Sequence, residues 1–187
     1  MNTHQVDNKS IFTIDNFLNH NECNKYIKYI NELKLNRPNN FTNDNRFFNN
    51  KIINKELSKV FYDKLKIHFE NNILNSNNQS WNLLFTSDYI FMAHYGKNKQ
   101  FDLHTDTGCY YNYFDKSLSK FTMLIYLNDN YTNGYTSFYN DNFELQIGIE
   151  PKQSRALIFD IDLWHKGNEV LDGEKYWIGC ELICKRT

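Results

Sequence analysis

The chain opens on ten polar-rich residues, Met1 to Ser10, which read as a frayed lead-in before the strand-like run Ile11-Phe12-Thr13-Ile14. Asn19 with Glu22 three residues later has the form of a capping box. Behind it Cys23, Tyr26, Ile27, Ile30 and Leu33 recur at helical spacing, predicting an amphipathic helix over 20–34. Arg37 to Asn50 is an Asn-rich connection. Leu57, Val60, Phe61, Leu65, His68 and Phe69 predict a second helix over 54–72, with His68 on its apolar edge as a structural residue. Asn71 to Ser80 reads as a further polar loop. From Trp81 the pattern changes to short alternating runs, predicting strands over 82–86, 88–95, 100–106, 121–128, 135–139, 143–149, 155–160 and 175–184. Two helices followed by about eight short strands fit a mostly β fold with flanking helices (α+β). The expected core is a double-stranded β-helix, or jelly roll, over 81–187. Residues 11–80 would supply helical support, with both helices packed on one sheet.

Length and composition narrow the class. At 187 residues the chain suits one domain with a full core. Its 17% aromatic content offsets a mean hydropathy of −0.69, and a disordered chain is not expected. The net charge of −1, with both signs interspersed, offers no basic block for nucleic acid or an anionic membrane. Cys23, Cys109, Cys180 and Cys184 lack paired metal spacing. Cys180 and Cys184 share a strand face but sit too far apart along it to bridge, so free thiols in a reducing compartment are expected. No signal peptide or transmembrane run is read, and a cytoplasmic protein is expected.

The candidate chemistry centres on Phe101-Asp102-Leu103-His104-Thr105-Asp106. In an extended strand His104 and Asp106 point to the same face. His165, about sixty residues on, supplies a third ligand. Two histidines and one carboxylate on one face of a metal leave the opposite positions open, as in non-haem Fe(II) oxygenases. Face arithmetic adds that Tyr95 lies with Phe91 and Ala93 while His94 points away. Tyr126 lies with Thr122 and Leu124, Thr136 with Phe138, and Lys175 with Trp177, Gly179 and Glu181.

Six ordered pieces then resemble the 2-oxoglutarate- and Fe(II)-dependent dioxygenases, in their prolyl 4-hydroxylase-like branch. They are Tyr95-Gly96 with His104-x-Asp106; Thr122-x-x-x-Tyr126-Leu127-Asn128; Gly134-x-Thr136-x-Phe138; Pro151; Ala156-Leu157-Ile158-Phe159; and His165-x-Gly167-x-x-Val170-x-x-Gly173-x-Lys175-Tyr176. The resemblance spans roughly residues 10–185. It implies Fe(II) on His104, Asp106 and His165, 2-oxoglutarate and O2 as cosubstrates, and admits ascorbate. It implies that Lys175 grips the distal carboxylate of 2-oxoglutarate, that Tyr126 and Thr136 assist with hydroxyl groups, and that Tyr95 sits nearer the metal. The implied reaction hydroxylates a C–H carbon with release of succinate and CO2.

The aromatic run Gly108 to Asp115 is either a lid or substrate platform, or a loop packed on the barrel rim. It suits a peptide, a proline ring in particular, better than a nucleic acid. Leu124, Phe138, Phe159 and Trp164 are expected to wall the site. Three positions depart from the family pattern: Asn133 stands for the first of two glycines, Tyr135 for an acidic residue and Gly179 for an arginine. The expected substrate is a prolyl residue in a peptide or protein. Free amino acids, peptidyl lysine and small metabolites stay open, as does the oligomeric state. The rival is a non-catalytic jelly-roll binding module around a structural metal, for which Cys109 is the nearby candidate fourth ligand.

Overall fold

A computed structural model describes residues 1–36 and 48–187. In chain order the elements are β1 (Asn2–Val6), β2 (Lys9–Ile14), α1 (His20–Asn36), β3 (Phe48–Ile53), α2 (Lys55–Leu65), two 3-10 turns (Lys66–His68 and Glu70–Asn72), β4 (Ile73–Ser76), β5 (Gln79–Thr86), β6 (Tyr89–Tyr95), β7 (Phe101–His104), β8 (Leu118–Tyr126), β9 (Thr132–Asn133), β10 (Thr136–Tyr139), β11 (Leu145–Ile149), β12 (Ala156–Asp160), β13 (His165–Gly167), β14 (Val170–Asp172) and β15 (Lys175–Arg186).

These strands form the two facing sheets of a jelly roll. The larger runs β1-β2-β12-β8-β15-β5-β4, with β6 also on β15 and β3 on β6. The smaller runs β11-β10-β13-β7, and β14 pairs with β9 beside it. β15 is the spine of the larger sheet. It pairs with β8 along one edge, and its other edge is shared between β6 over Lys175–Gly179 and β5 over Leu182–Arg186. Alternation along these strands splits the core in two. Tyr176, Ile178, Cys180 and Leu182 of β15, with Phe121, Met123 and Ile125 of β8, face the helices and pack with Phe61, Leu65 and Ile30. Leu124, Tyr126, Leu157 and Phe159 point the other way, toward Phe138 of the smaller sheet.

The capping box is present: Asn19 N–H donates to Glu22 Oε2 at 2.8 Å and Glu22 N–H to Asn19 Oδ1 at 2.9 Å. The helix behind it runs two residues beyond the predicted end. The second helix is shorter than predicted. Asn54 caps it, accepting from Leu57 N–H at 2.9 Å, and α-helical geometry stops at Leu65. Asn71 and Asn72, both at positive φ, cannot continue a right-handed helix. His68 ends the first 3-10 turn beside Phe17, with ring centroids 6.4 Å apart, which fits a structural residue.

Several polar stretches are strands. The lead-in is β1, hairpinned to β2 through Asp7 and Asn8 at φ 49° and 64°. The predicted loop 71–80 contains the β4–β5 hairpin, turned by Asn77 and Asn78 at φ 54° and 57°. Positive φ at both central residues is what a two-residue hairpin turn of matching twist requires, and Asn tolerates it. Most of the Asn-rich connection from Arg37 lies outside the described residues, and its end, from Phe48, is β3 on the edge of β6. Among the described residues no helix is long and apolar enough to cross a membrane.

Candidate active site

The smaller sheet brings the three candidate ligands together. β7 and β13 pair so that His104 lies directly across from His165, with ring centroids 4.2 Å apart. β7 ends at His104, so Asp106 is not on the strand as expected. It is reached through Thr105, and its N–H donates to the carbonyl of Ile161 at 3.0 Å, just past β12. Asp106 still faces both rings. Its Oδ1 is 3.6 Å from His104 Nε2 and its Oδ2 is 3.8 Å from His165 Nε2. The three ligand atoms lie within 4.8 Å of one another.

The protein fixes which nitrogen each ring offers. His104 Nδ1–H donates to the Asp102 carbonyl at 2.6 Å, and His165 Nδ1–H to the Leu163 carbonyl at 2.9 Å. Both Nε2 lone pairs are therefore left for a cation, with ring orientation locked by the backbone. Thr122 Oγ1–H donates to Asp106 Oδ2 at 2.6 Å, fixing the carboxylate. Burial pushes the His165 pKa down to about 4, with the His104 charge adding to that and Asp106 opposing it, so this ring is neutral at physiological pH. For Asp106 burial acts upward, but the neighbouring His104 and His165 rings and the Thr122 hydroxyl outweigh it and hold the carboxyl below its usual range. A converging donor set of two imidazoles and one carboxylate fits a divalent metal with open positions. Cys109 lines the same cavity, but among the described residues no fourth ligand joins the three. The Cys109 thiol is instead 3.6 Å from Lys51 Nζ.

Beside the triad lies a cavity of about 250 Å³. Lys175, only 2% exposed, lines it from the start of β15. Its Nζ donates to the Gly134 carbonyl at 2.6 Å and sits 5.5 Å and 5.3 Å from the ring centroids of Tyr95 and Tyr126. Burial pushes its pKa down to about 7. Tyr126 OH donates to Thr136 Oγ1 at 2.7 Å, and desolvation raises the Tyr126 pKa out of reach of ordinary pH. Tyr95 is buried and pairs across from Lys175. The seven residues singled out from the sequence thus converge on one side of the barrel. His94 does point away, stacking on Tyr176 at 4.3 Å on the helix side.

Two of the expected wall residues do not line the cavity, and Phe138 stands behind it against Phe159 and His165. Trp164 packs on Phe143, at 5.0 Å between ring centroids, rather than on the cavity. His165 points inward, so its strand neighbour must point out. Phe91, Phe101, Trp177 and Glu181 line the cavity instead. Trp177 and Glu181 were legible as sharing the Lys175 face, and no polarity signal marked Phe101. The departures from the family pattern also have places. Asn133 and Gly134, at φ 67° and 71°, keep the left-handed turn whose carbonyl receives Lys175. Tyr135 reaches out to Glu150, OH to Oε1 at 3.4 Å. A Cβ on Gly179 would lie 2.1 Å from the Met123 carbonyl oxygen, so the close strand approach excludes any larger residue. In the aromatic loop Tyr113 is 77% and Phe114 99% exposed, which excludes rim packing for those rings; Tyr110 alone turns back, edge-on to Phe85 at 5.6 Å.

Comparison with known proteins agrees with this geometry. Residues 90–180 match the 2OG-Fe(II) oxygenase superfamily. No curated protein matches the chain. Among solved structures, a viral collagen prolyl hydroxylase from Paramecium bursaria Chlorella virus-1, bound to 2-oxoglutarate, superposes at TM-score 0.59 with 18% identity, covering 94% of this chain and 96% of that one. A Trichoplax adhaerens prolyl hydroxylase, solved with a peptide of the oxygen degradation domain of hypoxia inducible factor, gives 0.63 and 17%, covering 92% and 82%. A Pseudomonas putida prolyl-4-hydroxylase gives 0.61 and 10%, covering 95% and 92%. At these identities the likeness establishes the fold.

Proposed function

We propose that this chain, whose residues 90–180 match the 2OG-Fe(II) oxygenase superfamily, is a 2-oxoglutarate- and Fe(II)-dependent oxygenase that hydroxylates a C–H carbon of a prolyl residue in a peptide or protein, releasing succinate and CO2. His104 Nε2, the Asp106 carboxylate and His165 Nε2 would hold Fe(II), since both histidines keep that nitrogen free by donating from Nδ1 to the backbone. When bound, the metal supplies O2 activation coupled to decarboxylation of 2-oxoglutarate. The chain's own residues bind, orient and exclude water. Lys175 is costly to leave charged and buried alone, so it favours an anionic partner. The distal carboxylate of 2-oxoglutarate is that partner, with Tyr126, Thr136 and Tyr95 lining its path. Phe138 and Phe159, fully buried, close the apolar side behind His165.

The observation that carries this reading is the pairing of an open, tautomer-locked triad with a buried lysine in one cavity. The binding-module rival needs a closed four-ligand shell for a structural zinc, and the group among the described residues has three members. A peptide substrate is supported by the exposed rings of Tyr111, Tyr113 and Phe114 at the end of the ligand loop, and by the peptide complex of the Trichoplax relative. The unpaired cysteines support a reducing, cytoplasmic setting. The test is incubation of Fe(II)-loaded protein with 2-oxoglutarate and a library of prolyl peptides, followed by mass spectrometry. A gain of one oxygen on proline, matched by succinate and absent in His165→Ala, is expected. Oxygen found only on lysine, on free amino acids or on small metabolites would replace the prolyl assignment.

A further inference from the structure

The cavity holds a second buried charge that the reaction as described does not use. Glu181 is 4% exposed, lines the cavity and shares its strand face with Lys175, Trp177 and Gly179. It lies across from Thr122, whose hydroxyl holds the metal-binding carboxylate Asp106. Opposed residues on neighbouring strands bring their side chains together, so Glu181 stands at the triad end of the cavity. Lys175 stands six residues away, roughly 20 Å along the strand at about 3.3 Å per residue. Trp177 and Gly179, between them on the same face, also line the cavity.

The hydrogen bonds to Glu181 come from neutral donors. Cys109 N–H donates to Oε2 at 3.0 Å, and Ser119 Oγ–H donates to the same oxygen. The Cys109 thiol also hydrogen-bonds the carboxylate, but among the described residues no cation lies within ion-pair distance of it. Lys51 contacts the Cys109 thiol and lies over the rings of Tyr89 and Phe91. A buried carboxylate held by neutral donors, with no cation beside it, still gains from a cationic partner. A ligand cation entering the cavity would supply that partner.

We propose that Glu181 determines substrate choice by receiving a protonated amine of the substrate. The inference rests on the oxygenase reading and deepens it, placing 2-oxoglutarate at the Lys175 end and the substrate at the Glu181 end. The amine comes either from a basic residue beside the target carbon of a peptide or from a free amino acid. Both have the same chemistry at the carboxylate: an ammonium N–H donating to it.

The test uses anaerobic protein loaded with Fe(II) and 2-oxoglutarate, its loading verified by the visible metal-to-ligand charge-transfer band. Calorimetry then compares acetyl-Lys-Pro-Gly-amide with its norleucine counterpart, and free L-lysine with L-norleucine. The lysine probe of one pair is expected to bind about tenfold tighter or more, because a neutral probe leaves the carboxylate unpaired. Glu181→Gln, which keeps an acceptor for Cys109 and Ser119, is expected to abolish the preference while retaining the band. The pair that shows the preference identifies the source of the amine. A normal band with no preference in either pair, or with a preference that survives Glu181→Gln, overturns the assignment. Absence of the band in loaded wild-type protein instead removes the oxygenase reading on which it rests.

Discussion

Lys175 is the residue whose surroundings make the sharpest demand. Its pKa is pushed from an ordinary value near 10.5 down to about 7 by burial, with one backbone carbonyl as its hydrogen-bond acceptor. At pH 8.5 the empty protein therefore holds it mostly neutral. Pairing with a carboxylate favours the charged form and raises the pKa. Binding of 2-oxoglutarate at that pH is thus expected to take up close to one proton, and affinity is expected to fall as pH rises above about 7. Calorimetry in two buffers of different ionisation heat measures the uptake, and Lys175→Met removes it. The same depression acts on folding. The unfolded chain binds the proton up to about pH 10.5 and the folded one only to about 7, so this group makes stability rise with pH across that interval.

Among the elements, β15 and the hairpin turns show what was legible and what was not. The alternation of β15 was readable from Lys175, Trp177, Gly179 and Glu181, and these are the residues that line the cavity. Period two survives because one face is buried against helices and the other against the barrel. The strands β1 and β4 were missed because their sequences are polar and their turns are Asp-Asn and Asn-Asn, which read as loop composition unless the left-handed tolerance of asparagine is given weight. Asp106 still faces both histidines although its strand ended early, because a backbone hydrogen bond to Ile161 replaces the ladder. Two outcomes test the element scale. Gly179→Ala is expected to destabilise by about 3 kcal/mol, the upper part of the overpacking range, since Cβ meets a backbone oxygen that cannot move alone. Asn19→Ala is expected to cost about 1 kcal/mol through loss of the cap. Urea midpoints at constant slope read both.

At the scale of the whole molecule, the two sheets meet at the site: His104 and His165 come from the smaller sheet, and Lys175, Thr122 and Glu181 from the larger. A ligand that bridges them should hold the barrel closed. With 2-oxoglutarate at a hundred times its dissociation constant for the Fe(II)-loaded protein, mass action adds about 2.7 kcal/mol to stability. For a chain of this size that corresponds to a rise in Tm of roughly 5–10 °C, and His104→Ala is expected to abolish it in differential scanning calorimetry under nitrogen. The overall architecture was accessible from the sequence because both halves of the pattern, two amphipathic helices and then short strands, are regular. The pairing of the sheets was not, because β7, β13 and β10 are three or four residues long and carry their meaning in what they face.

The central claim is that His104, Asp106 and His165 hold iron beside a 2-oxoglutarate site anchored by Lys175. Anaerobic titration of the metal-free protein with Fe(II) and 2-oxoglutarate, followed by the visible charge-transfer band, tests it most directly. The account predicts a band that saturates at one iron per chain, disappears in His104→Ala and needs at least tenfold more 2-oxoglutarate in Lys175→Ala. Folded, iron-loaded wild-type protein that shows no band, or a band indifferent to both substitutions, would contradict it.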